Sequence, residues 1–146
     1  MIRLLWRFRE LSPLERGLVF EATFALGVAA FAIAVFRFRT IASAAGRPSS
    51  AAIDEADGAR LVRQVRWAVS ACARRVPWRA KCFEQGLAAQ WMLSRRNVVA
   101  TLHYGIAKRD DQDLIAHVWV RAGPLNVMGC EIRDDFTELA RFPADQ

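Results

Sequence analysis

The sequence is poor in the residues that staple or metallate a small fold. Cysteine occurs three times in 146 residues, at Cys72, Cys82 and Cys130. An odd number at irregular spacing makes no disulfide framework, and a reducing cytoplasm is the compartment it suggests. There are two histidines, and no His/Cys pair stands at the short spacing of a zinc site, so no metal is expected. Gly86, Gly105 and Gly129 are isolated and form neither a phosphate loop nor a dinucleotide fingerprint, so no cofactor is implied. No internal repeat or low-complexity tract interrupts the chain. One core is what a chain of this length supports, and it needs no staple to be stable.

Lysine is nearly absent. Lys81 and Lys108 are the only two, so arginine supplies almost all of the 21 basic residues that stand against 15 acids, a formal charge of +6. Such a balance suits an acidic partner: nucleic acid, anionic lipid or an acidic peptide. The arginines fall in scattered pairs, Arg74-Arg75 and Arg95-Arg96, without a stripe of interleaved aromatics, and nucleic acid is therefore not expected. At 53% hydrophobic and 25% charged residues, disorder and fibrous folds are excluded.

What is present begins with an apolar run, LVFEATFALGVAAFAIAVF from Leu18 to Phe36, with Glu21 as its only charge and Arg37 and Arg39 just beyond. Nineteen residues approach the length of a membrane span. Eight of them are small and Glu21 falls early, which favours a helix packed in a protein, with a membrane contact left open. The basic start with its early Glu10 and no clear cleavage signature argues against a signal peptide. Ser12-Pro13-Leu14-Glu15 combines a Ser cap, Pro at the first helical position and an acid in the first turn, so the helix should begin at Pro13. Ala45 to Ser50 reads as a linker, dividing an N-terminal helical segment, 1–46, from a core, 47–146.

In the core, Leu61, Val65, Ala68, Val69 and Cys72 recur at three and four, predicting an amphipathic helix from Asp54 to Arg75 that Pro77 stops. A second helix is expected from Cys82 to Arg96, with Phe83, Leu87 and Trp91 on one stripe. After Asn97 the period shortens. Val98–Ile106, Leu114–Arg121 and Leu125–Met128 read as three antiparallel strands, joined by turns at Lys108–Asp113 and Ala122–Pro124. Helices followed by such strands make an α+β domain.

Two residues in this pattern carry chemistry. Cys82 falls in the first turn of its helix, where free amides, the dipole, Arg79 and Lys81 favour a thiolate. His117 shares one strand face with Trp119 and Arg121. A thiol at a helix start and a histidine on a later strand supply a nucleophile and the base that takes its proton. A third group to orient the imidazole is expected on the returning strand. With a turn over Ala122–Pro124, His117 lies opposite Gly129, which has no side chain for that role. Asn126, Glu131 and Asp134 are the polar candidates nearby, with Glu131 favoured because it shares the face of Gly129. His103 has no flanking feature of its own and reads as structural.

The order PWRAKCFEQGLAAQWMLSRRNVVATLHYGIAK, a polar turn, then LIAHVWVR resembles the lasso-peptide biosynthesis B proteins, the transglutaminase-like leader peptidases. The stretch LSPLERGLVFEATFALGVAAFAIAVFRFRT resembles their leading helical segment, so the likeness spans nearly the whole chain. It implies N-terminal helices packed on a transglutaminase-like or papain-like core, in which a Cys-bearing helix lies on a small antiparallel sheet. It implies Cys82 as nucleophile and His117 as base in a peptidase that removes the leader from a precursor peptide, before a separate ATP-dependent cyclase closes the ring. The family's acid follows its histidine by about a dozen positions; here Val127, Met128, Gly129 and Cys130 occupy that window, and Glu131 is the nearest acid. No leader-binding domain precedes the core, so the resemblance is to the stand-alone peptidase, which needs a separate leader-binding recognition protein.

Overall fold

A computed structural model describes residues 10–37, 40–41, 55–109 and 113–143. Helix α1 (Pro13–Val35) starts where its cap residues require. The Ser12 amide donates to Glu15 Oε2 at 2.7 Å and the Glu15 amide to Ser12 Oγ at 3.2 Å, so two amides that the helix leaves unpaired are satisfied reciprocally. Its inner face is Leu18, Ala22, Ala25, Leu26 and Ala29. Alanines there let the backbone approach α2 (Glu55–Ala73) and α3 (Cys82–Ser94) closely, and all three helices share one hydrophobic core. The boundary near residue 46 lies outside the described residues.

On α2 the inner stripe is Val62, Val65, Ala68, Val69 and Cys72, close to the predicted period. Cys72 behaves as a small buried hydrophobe, its thiol 3.5 Å from the Val19 carbonyl and from Thr23 Oγ1. Glu21, the single charge in the apolar run, is bound by Arg96 at the end of α3, with Nη1 to Oε1 at 2.9 Å. This bond to Glu21 raises the Arg96 pKa despite partial burial, and the pair pins α1 to the end of α3.

Helix α3 is buried almost all round. Its last turn closes two residues before the expected Arg96, with Asn97 in the left-handed region at φ 58° and the Val98 amide bonded to the Leu93 carbonyl at 3.0 Å. Buried Gln90 donates from Nε2 to the carbonyls of Ala100 (3.0 Å) and Phe142 (2.7 Å), tying the first and last strands to the helix. At Gly86 an added Cβ would stand 2.7 Å from Val118 Cγ1, so glycine is what lets α3 sit directly on the sheet.

Among the described residues that sheet has four antiparallel strands in the order β3-β2-β1-β4: β1 Thr101–Arg109, β2 Asp113–Ala122, β3 Leu125–Met128 and β4 Thr137–Phe142. The α+β class is as read, and β4 is the strand that the sequence reading lacked. A 3-10 turn over Cys130–Asp135 carries the chain from β3 to β4. The hairpin register also differs from the expected one. Ala122 pairs with Leu125 across the two-residue turn Gly123-Pro124, and a bulge between Val120 and Arg121 then brings Val120 opposite Met128. The bulge inserts one residue, which reverses the side-chain alternation beyond it.

Candidate active site

Cys82 is the first residue of α3, a free thiol with a half-buried side chain. The loop before it is held at two points: the carboxylate of buried Glu84 accepts the Lys81 amide at 2.9 Å, and Gln85 Nε2 donates to the Ala80 carbonyl at 2.7 Å. Arg79, an expected neighbour of the thiol, is turned to Glu84, 3.4 Å from Nε to Oε1. The first turn of α3 lies over the sheet where Tyr104 pairs with Val118: the Phe83 and Tyr104 ring centroids are 6.0 Å apart. His117 is the next residue along β2.

Its imidazole is buried and its Nε2 lies 2.7 Å from the Gly129 carbonyl oxygen. A carbonyl only accepts, so Nε2 carries the proton and Nδ1 holds the lone pair in the neutral ring. Phe136 closes over the ring at 5.0 Å between centroids. Alternation along β2 sends Val118 and Val120 to α3 and His117 with Trp119 to the reverse face, which the chain between β3 and β4 crosses. Below Val118, β2 is paired with β1 alone among the described residues, because β3 stops at Met128. Cys82 thus opens the helix that packs on the Val118 face of β2, whereas His117 lies on the reverse face, and among the described residues no hydrogen bond joins them.

Gly129 is required where it stands. Its φ of +67° is left-handed, and a Cβ would come 2.6 Å from the Val118 carbonyl and 3.1 Å from His117 Nε2. The backbone turns there into the 3-10 helix, so no strand carries the later residues past His117. Glu131, the favoured third residue, is accordingly placed elsewhere: its Oε1 binds Arg66 Nη2 of α2 at 2.7 Å on the exposed surface. The other two candidates, Asn126 and Asp134, both face Arg133, at 3.3 and 3.4 Å. Among the described residues the group that hydrogen-bonds His117 is a backbone carbonyl, which no polar side chain in the sequence signals.

A second histidine pair was also missed. His103 Nδ1 lies 3.0 Å from Glu138 Oε2, and Arg141 Nε donates to the same carboxylate at 2.9 Å. His103 stacks on Trp119, with centroids 5.4 Å apart and planes within 3°. Burial lowers the His103 pKa, outweighing the opposing pull of Glu138. For Glu138, burial acts upward but the bonds from His103 and Arg141 outweigh it and hold the carboxyl below its usual range. No sequence signal marked this pair, because Glu138 lies on the unforeseen strand. Cys130 is buried, donates to the Val120 carbonyl at 3.2 Å, and has its thiol pKa pushed up, chiefly by burial. The described residues hold no cluster of three or more His, Cys, Asp or Glu able to take a metal ion.

Compared with known protein families, residues 24–141 match the transglutaminase-like superfamily. The chain belongs to that superfamily, whose members generally include cysteine-dependent enzymes. Neither curated proteins nor solved structures give a match.

Proposed function

We propose that this chain is a cytoplasmic cysteine peptidase that removes the leader from a ribosomally made lasso-peptide precursor. A leader-binding protein presents the precursor, and a separate ATP-dependent cyclase acts afterwards. The observation that carries this reading is the pairing of His117 Nε2–H with the Gly129 carbonyl. It lies twelve positions beyond the histidine, where the resemblance expects an acid, and it leaves Nδ1 as the base for a thiol at the start of α3. Nδ1 takes the Cys82 proton as Sγ adds to the scissile carbonyl, the imidazolium gives that proton to the departing amine, and water then hydrolyses the thioester. The carbonyl orients the ring as a side-chain amide or carboxylate would, but stabilises the imidazolium less because it bears only a partial charge. Cleavage by this route requires Cys82 and His117 to come within hydrogen-bond reach in the complex with the precursor.

A second reading is favoured by the placement of His117 on the face away from α3: a transglutaminase-like interaction module without peptidase activity. Fold alone does not secure chemistry. Mass spectrometry of precursor peptide incubated with the chain and the leader-binding protein separates the two. Leader release by the parent but not by Cys82→Ala supports the peptidase; a precursor that stays intact with the parent chain supports the module.

A further inference from the structure

The outer face of α1 carries a row of large apolar side chains that are exposed. Phe20, Phe24, Val28, Phe31 and Val35 follow one another at steps of four, four, three and four, and each is between 47% and 67% exposed. The inner line holds two leucines, Leu18 and Leu26, with Ala22, Ala25 and Ala29. A soluble helix normally turns its bulkiest apolar side chains inward; here Leu18 and Leu26 are buried but all three phenylalanines of the row are exposed. No charged residue interrupts the row. Glu21, on its flank, is committed to Arg96 and Arg95.

The surroundings of the row are cationic and aromatic. Arg37 is exposed directly after the helix. The Arg95 guanidinium sits 5.1 Å over the Trp91 ring, which itself lies 6.3 Å from Phe24. Trp78 is partly exposed and rests beside Gly27, where an added Cβ would meet its ring at 3.5 Å. In sequence, Arg3, Arg7 and Arg9 precede the helix and Arg39 follows it. Apolar rings rimmed by arginine and tryptophan are the composition of a helix lying in a lipid headgroup layer.

We propose that the Phe20–Val35 face of α1 lies on an anionic lipid bilayer, in the plane of the interface, with the protein core on its other side. A span would strip α1 from α2 and α3 and break the Glu21–Arg96 pair, whereas an interfacial position keeps both. A second copy is the weaker occupant, because two chains of charge +6 would meet with their arginines along the seam, whereas anionic headgroups neutralise them. Trp78 lies in the loop that leads to Cys82, so the surface also sets which side of the molecule a membrane leaves open.

The test is co-sedimentation of the full chain with vesicles of phosphatidylcholine, alone or with about a third phosphatidylglycerol. We expect binding to the anionic vesicles, weakened by added salt. Phe20→Ser, Phe24→Ser and Phe31→Ser together should lower it at least about a hundredfold, each ring contributing on the order of tenfold. All three positions are 64–67% exposed, so far-ultraviolet circular dichroism should match the parent; should the triple variant misfold, Arg37→Glu must weaken anionic binding in its place. Equal binding to neutral vesicles, no binding, unaltered binding by the variants, resistance to alkaline extraction as for a true span, or a lipid-free dimer that the serines dissolve would each overturn the proposal. The readout is lipid binding, so it stands or falls apart from the peptidase reading.

Discussion

The two faces of the sheet divide the molecule into a packing layer and a polar one. Towards α3 the strands present Leu102, Val118 and Val120, fully buried, with Gly86 of the helix against them. The reverse face carries His103, His117, Trp119 and Arg121, joined by Glu138 and Arg141 of β4. Residues 117 to 120 are all buried, so β2 is covered on both sides although only one cover is apolar. The difference teaches how a small domain keeps titratable groups inside: the helix side supplies the burial, and the reverse side holds its histidines with stacked rings and with hydrogen bonds to Glu138 of β4 and to the Gly129 carbonyl.

The comparison can be broken hardest at the two residues proposed as nucleophile and base. Cys82→Ala and His117→Ala should each lower precursor cleavage by at least about a thousandfold, measured by mass spectrometry with the leader-binding protein present, while Glu131→Ala, which frees only Arg66, should cleave like the parent. A crippled Glu131→Ala would show that the carbonyl of Gly129 is not the orienting group.

Next in size is the packing layer. Leu102→Ala should cost about 2–5 kcal/mol of unfolding free energy in urea titration. Glu138→Ala on the reverse face should cost less than about 1 kcal/mol, the scale of a partly exposed ion pair. Equal costs would mean that the two layers hold the fold alike. Gly86→Ala belongs to the same side and should cost about 1–3 kcal/mol, because α3 must lift to clear Val118; an unchanged midpoint would mean that the interface yields freely.

The smallest effect is the pH dependence of the polar layer. His103 has a lowered pKa in the folded chain, so the unfolded chain takes up its proton first as pH falls. The contribution is fully present above the ordinary histidine pKa and is lost as pH drops from there through the lowered folded value. Glu138, also lowered, adds a loss of the same sign further down, below the ordinary carboxylate range. Thermal unfolding scanned from pH 8 to 5 should therefore show a decline below about 6.5 that His103→Gln flattens. A slope unaltered by that substitution would assign the decline to other groups.

Much of this architecture is written locally. The Ser12–Glu15 cap, the period of α2, the start of α3 at Cys82 and the strands β1 and β2 are all set by neighbours within a few residues, whose spacing and hydrogen-bonding capacity are visible in the chain itself. Placing Cys82 at a helix start and His117 on a strand needed nothing more. The strand β4 was not legible, because Thr137–Phe142 buries only Phe142 and so shows no alternation. Nor was the bulge after Val120, which depends on how the edge strand fits against its partner.

What the sequence by itself determined, then, is the helices and the first three strands, with Cys82 at a helix start and His117 on a strand. Tertiary structure alone decided which atoms meet. It chose the backbone carbonyl of Gly129 as the partner of His117, turned Glu131 to Arg66 and His103 to Glu138, and left the phenylalanines of α1 facing outward. The physical reason is one of range. Caps and periodicity act within a turn or two of chain, whereas register, the crossing from β3 to β4 and the choice of inner helix face depend on groups far apart in sequence that compete for the same space.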